Sequence, residues 1–148
     1  MGLLAASFLG AAQGASSPAS AAPLAKYQQE CAACHIAYPA GMLPASSWQR
    51  MMGTLGKHYG ADASLDEATT REIGAWLKNQ AGSYKRVKEE PPQDRITMSA
   101  WFLQKHRPGE VPPDVWKRAS IRSASNCGAC HTHAAQGNFG ERDIKIPN

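Results

Sequence analysis

Apolar residues recur along this chain mostly at the spacing of α-helices, and no segment shows the strict alternation of a half-buried strand. A first helix is expected from Leu24 to His35, before a loop marked by Pro39, Gly41 and Pro44. Ser46 and Ser47 read as capping residues for a second helix whose stripe is Trp48, Met51, Met52 and Leu55. His58 and Tyr59 continue that stripe and Gly60 stops it. A third helix opens on Ser64-Leu65-Asp66-Glu67, which fits a capping box, buries Ile73, Trp76 and Leu77, and ends near Gly82. Further on, Thr97 can cap a helix through Trp101, Phe102 and Leu103 to His106, stopped by Pro108-Gly109. Pro112-Pro113-Asp114 introduces a short helix with Val115, Trp116 and Ala119, and Ser125-Asn126 cap one more. Phe139, Ile144 and Ile146 are expected to tuck the tail against a core. The expected fold class is all-α.

Between the third and fourth helices the composition changes. Residues 83–96 are charged and then proline-rich, from Lys85-Arg86 to Glu90-Pro91-Pro92, which marks a linker. It divides the chain into a lobe at 26–82 and a second at 97–148. Residues 1–25 carry no charged side chain and hold the run Leu3 to Leu9, followed by small residues. That segment looks like an export signal with candidate cleavage sites at Ala19-Ser20-Ala21 and, more weakly, Ala12-Gln13-Gly14, although a basic start is missing. A disordered Ala/Ser tail is the plainer alternative. The apolar run is too short for a membrane span of about 20 residues.

All four cysteines fall in two five-residue words, Cys31-Ala32-Ala33-Cys34-His35 and Cys127-Gly128-Ala129-Cys130-His131. Both read C-x-x-C-H, the pattern of covalent c-type haem attachment. On a helical segment the three functional side chains share one face, so two thioethers can hold the porphyrin edge while the histidine reaches the iron. Zinc, a thioredoxin-like redox pair or two structural disulfides would also use C-x-x-C. The histidine directly after each second cysteine, and the export-like segment, favour haem. Two haems leave roughly 60 residues to each, too few to bury much core unaided, so the porphyrins must supply core and the apoprotein should fold poorly.

What fills the sixth iron position decides between electron transfer and chemistry at an open metal. Beyond His35 and His131, three histidines remain: His58, His106 and His133. His58 follows the first word's histidine by 23 residues, and His106 precedes the second's by 25. Each ends an apolar stretch that could wall a porphyrin, which makes them the expected second ligands. A capping or core histidine is the ordinary alternative at both places. Local pairing is expected, with a cross-lobe swap left open. His133, two residues from His131, cannot reach the far side of the same haem; it could serve the other haem, but a solvated position is expected. Met42, Met51, Met52 and Met98 are rival ligands, and a His/Met pair would raise the potential. Bis-histidine ligation implies two comparatively low potentials.

The formal charge is +4, modest enough to permit docking to an acidic partner and too small to argue for nucleic acid, for which no motif is present.

The C-x-x-C-H words, Tyr38-Pro39, Leu43-Pro44, Ser47-Trp48, His58-Tyr59-Gly60, Trp101, Lys105-His106, and the stretch from Ser125 through Gly137 and Phe139 to Ile146-Pro147 are similar to the small bacterial dihaem cytochrome c family. The resemblance covers nearly everything after residue 26. It implies a periplasmic electron carrier with two covalent haem c groups held by Cys31, Cys34, Cys127 and Cys130 and ligated by His35, His58, His106 and His131. It also implies redox partners: an oxygen-binding c-type haem protein and a membrane b-type cytochrome. The expected state is a monomeric carrier and not an enzyme. The competing expectation is a dihaem enzyme or gas-binding protein, working on peroxide, oxygen or nitrogen oxides, with one iron left open.

Overall fold

The computed structural model describes residues 18–148, with side chains from residue 22 onward. The run Leu3 to Leu9 and the Ala12-Gln13-Gly14 site lie outside the described residues. Among the described residues there are four α-helices, a series of 3₁₀ turns and no strand, so the chain is all-α. Only two isolated bridges occur, His58 with Ala61 and His131 with Ile144.

Helix α1 spans Pro18–Cys31, beginning six residues before the expected Leu24 and ending four before His35. The added turns are rich in alanine, the strongest helix former, and proline is well suited to the first helical position. The Ala19-Ser20-Ala21 site therefore lies within α1. Helix α2, Ala45–Met52, is entered from Pro44 and has no side-chain cap. Ser46 and Ser47 are inside it, contrary to the capping expectation. Their hydroxyls are engaged elsewhere: Ser46 donates to Glu90, and Ser47 accepts from Arg50. Helix α3, Glu67–Gln80, is capped by Asp66, which accepts from the Thr69 amide at 3.0 Å. Ser64 is not the cap, because its own amide turns back onto the Asp62 carboxylate.

These three helices pack around one apolar cluster. Tyr27 of α1 meets Trp48 edge-on and Trp76 at a tilt, while Leu43, Ile73 and Leu77 are wholly buried. Two aromatic side chains also tie down the loop between α1 and α2. The Tyr27 hydroxyl donates to the Tyr38 carbonyl and the Trp48 indole to the Ala40 carbonyl, each at 2.7 Å.

Residues 82–94 fold back on these three helices. The Gly82 amide bonds the Leu43 carbonyl, and the Tyr84 amide bonds that of Gly41. A side chain at Gly41 would collide with the Ser83 hydroxyl, which explains glycine at this close approach. Further along, Arg50 of α2 grips Glu90 and Asp94.

Residues 97–148 have far less regular structure. Helix α4 is only Ala100–Lys105, capped by Ser99 in place of the expected Thr97. Ser99 wins because the Ile96–Met98 turn places its hydroxyl against the Phe102 amide. The segments at 112–119 and 125–131 form 3₁₀ turns, Val115–Lys117 and Cys127–Ala129, and not α-helices. Phe102, Val115, Ile121 and Ala134 are the buried apolar residues of this stretch. The tail is pinned through its backbone: Arg118 donates to the Pro147 carbonyl, Ser120 to that of Asn148, and the Lys145 amide to that of Cys130. Phe139 is half-buried as expected, but Ile144 and Ile146 are 39% and 41% exposed.

Candidate functional site

Neither cysteine-histidine word lies along an α-helix. The first starts at the last residue of α1 and runs on through a turn; the second is a 3₁₀ turn. The tight turn keeps the 127–131 segment coiled, since the His131 amide still bonds the Cys127 carbonyl at 2.8 Å. None of the four cysteines is paired in a disulfide. Burial pushes the Cys31 and Cys127 thiols each up to about 11. A zinc site needs four donors around one point; among the described residues no three His, Cys, Asp or Glu side chains converge so.

The histidines fall into two local pairs. The His35 and His58 rings face each other with centres 6.1 Å apart and planes 25° apart. The His106 and His131 rings are 6.2 Å apart with planes at 69°. An imidazole nitrogen sits about 2 Å from a metal it binds, so two imidazoles on opposite sides of one ion have centres roughly 6 Å apart. Both pairs have that spacing. Burial and the facing histidine hold His58 and His131 below the ordinary imidazole range, which leaves their ring nitrogens neutral and able to donate a lone pair.

The surroundings of each ring differ. His58 arrives on a loop after Gly53 and Thr54 break the helical stripe, at the end of the 3₁₀ turn Leu55–Lys57. His106 is the C-terminal cap of α4, stacked on Phe102 at 4.0 Å, with its Nδ1 2.9 Å from the Phe102 carbonyl. The His35 Nδ1 lies 2.6 Å from the Ile36 carbonyl. The His131 Nδ1 is buried with no protein partner, although Phe139 packs over the ring at 5.4 Å. Each pair thus has one ring held by a backbone carbonyl and one without such a bond.

Apolar side chains left exposed beside these rings complete the fit to haem. Ile144 adjoins His131 through the isolated bridge, and Tyr59, 44% exposed, follows His58 directly. Of the rival ligands, Met42 is buried, Met51 and Met52 pack against the first-lobe core, and Met98 is exposed. His133 is exposed, and its backbone carbonyl caps the following turn.

A family model described as dihaem cytochrome c matches residues 27–139. The solved dihaem cytochrome c of Shewanella baltica OS155 is 35% identical, over 85% of this chain and 94% of that one, with a TM-score of 0.73. The crystal structure of DHC from Rhodobacter sphaeroides is 43% identical, over 78% and 96%, with a TM-score of 0.67. A further dihaem cytochrome c structure from Rhodobacter sphaeroides is 41% identical, over 78% and 95%, at 0.68. No curated protein matches the chain closely enough to count as a relative.

Proposed function

We propose, from the premise that the chain belongs to the dihaem cytochrome c family, that it is a periplasmic electron carrier with two six-coordinate haems. Membership brings two covalently attached haem c groups. In this reading Cys31 and Cys34 form the thioethers of the first, and Cys127 and Cys130 those of the second. His35 and His58 bind one iron; His131 and His106 bind the other. The observation that carries the reading is the facing of two imidazole pairs at 6.1 and 6.2 Å.

The chemistry a bound haem would supply is one reversible electron, between ferric and ferrous iron. What the chain contributes is closure and rigidity. With His35 and His58 holding one haem and His106 and His131 the other, no position would remain for a substrate, and the ligand set would not need to change with oxidation state. The carbonyls of Ile36 and Phe102 take the Nδ1 protons of His35 and His106, which fixes the tautomer that presents Nε2 inward and strengthens each ring as a donor. Without a methionine ligand to favour the ferrous state, both potentials should be comparatively low. No helix among the described residues is long and apolar enough to cross a membrane. The partners fitting this role are redox proteins, an oxygen-binding c-type haem protein and a membrane b-type cytochrome among them.

The test is an optical spectrum of the haem-loaded protein, oxidised and reduced, with and without carbon monoxide. Low-spin reduced bands unmoved by carbon monoxide are expected. A high-spin component, or a shift with the gas, would mean an open iron and would replace the carrier with an enzyme or gas-binding protein.

A further inference from the structure

His58 has the least obvious support of the four paired histidines. Its ring makes no hydrogen bond among the described residues, its loop carries a 3₁₀ turn, and a cavity of about 80 Å³ lies beside it. The residue that follows is the unusual one. Tyr59 has φ +50°, a left-handed conformation that a bulky aromatic side chain rarely takes. Such a conformation persists only where its surroundings impose it.

Those surroundings belong to the linker. The Tyr59 hydroxyl donates to the carbonyls of Gln93 and Asp94, at 3.0 and 3.1 Å. Gln93 and Asp94 are left-handed as well, at φ +57° and +56°. Three of the four non-glycine residues with positive φ among the described residues therefore meet in one contact. The linker turn is held from behind by Arg50 of α2, which grips the Asp94 carboxylate with two nitrogens at 2.6 and 3.0 Å and reaches Glu90 at 2.8 Å. Arg95 closes the arrangement, its guanidinium 4.2 Å from the centre of the Tyr59 ring.

We infer that Tyr59 is a positioning residue: its phenol clamps the loop presenting His58 to the linker turn at 92–95, and so sets the orientation of the His58 imidazole. The inference rests on the reading of His58 as an axial ligand. The aromatic ring contributes through Arg95, and the hydroxyl through the two carbonyls. Because the same turn leads into the second lobe, the first iron's ligand is anchored to the segment joining the two lobes as well as to its own helix, which Thr54 bonds at the Arg50 and Met51 carbonyls.

Electron paramagnetic resonance of the oxidised, haem-loaded protein tests this, since the signal of a low-spin ferric haem follows the orientation of its axial imidazoles. His58→Met identifies the signal of the first iron. Tyr59→Phe keeps the ring under Arg95 and removes the hydroxyl; it should shift or broaden that same signal and leave the other in place. Arg50→Gln, which frees the turn without touching the loop, should move the same signal less. Carbon monoxide should also bind a fraction of the first iron in the reduced Tyr59→Phe protein. If Tyr59→Phe lowers the melting temperature while both signals stay as in the parent, the phenol is only a tether and the inference fails. If His58→Met leaves both signals unchanged, His58 is not a ligand, and the underlying assignment fails first.

Discussion

The Tyr38 hydroxyl donates a 2.7 Å hydrogen bond to the carbonyl of Ser125, a residue 87 positions further along the chain. Tyr38 stacks on His35 at 4.9 Å, and Ser125 lies two residues before Cys127. One side chain therefore touches His35 and the approach to the second cysteine-histidine word. Burial pushes its phenol up to about 12, so it remains a neutral donor at any pH near neutrality. Tyr38→Phe should keep the stack, lose the bond and lower the stability of the haem-loaded protein by about 1 kcal/mol. Denaturant unfolding measures this. An unchanged midpoint and slope would mean that water serves the Ser125 carbonyl equally well.

The two imidazole pairs predict two spectroscopically different irons. Planes 25° apart at His35 and His58 make the two iron orbitals that mix with the imidazoles unequal, whereas planes 69° apart at His106 and His131 leave them nearly equal. The oxidised protein should show two low-spin resonance signals, a rhombic one and a more anisotropic one. His106→Met should remove the anisotropic signal. A single signal counting for both irons would contradict these plane angles.

Acid should loosen the linker. Arg50 holds the Asp94 carboxyl below its usual range, and Ser46 with Arg50 does the same for Glu90. The other charged group on this turn is Arg95. A depressed carboxylate stabilises the fold above its ordinary pKa near 4, and that stabilisation is lost as pH falls through the lower folded value. Asp94→Asn should therefore melt earlier than the parent at pH 7, with the gap narrowing below about pH 4. A gap independent of pH would assign the effect to packing.

The first lobe's core is the place where one truncation costs most. Leu77 is fully buried with Ile73 between α1, α2 and α3. Leu77→Ala should cost about 2–5 kcal/mol, the range for deleting a buried leucine side chain. Calorimetry of the haem-loaded protein measures it, and a loss below about 1 kcal/mol would mean the helices close over the gap.

Much of the site was legible before any coordinates. The spacing in the two words, the count of spare histidines and the apolar stripes ending at His58 and His106 pointed to the residues that the fold brings into two facing pairs. Ile73 and Leu77 were legible from period alone. Helix boundaries were harder, because serine and threonine have uses besides capping. Ser46 and Ser47 turned to Glu90 and Arg50, and Asp66 outcompeted Ser64 three residues before the Thr69 amide. The words themselves read as helical, yet they lie on turns, where coordination geometry can be met without a helix. Least visible was the linker. Its charges looked like solvated surface, while Arg50, distant in sequence, gathers two of them and Tyr59 bonds its backbone.

The unequal division of apolar burial between the lobes bears on how the protein is made. Tyr27, Leu43, Trp48, Ile73 and Leu77 join in one cluster among three helices, whereas the second lobe relies on one six-residue helix and a string of 3₁₀ turns. Helices that short are marginal without tertiary support. The first lobe should then gather before its cofactor arrives, while the segment around Cys127 and Cys130 should condense only once its haem is in place. Biogenesis is thereby ordered along the chain, and a failure at the second word should strand a half-built protein with a folded front and a protease-sensitive tail.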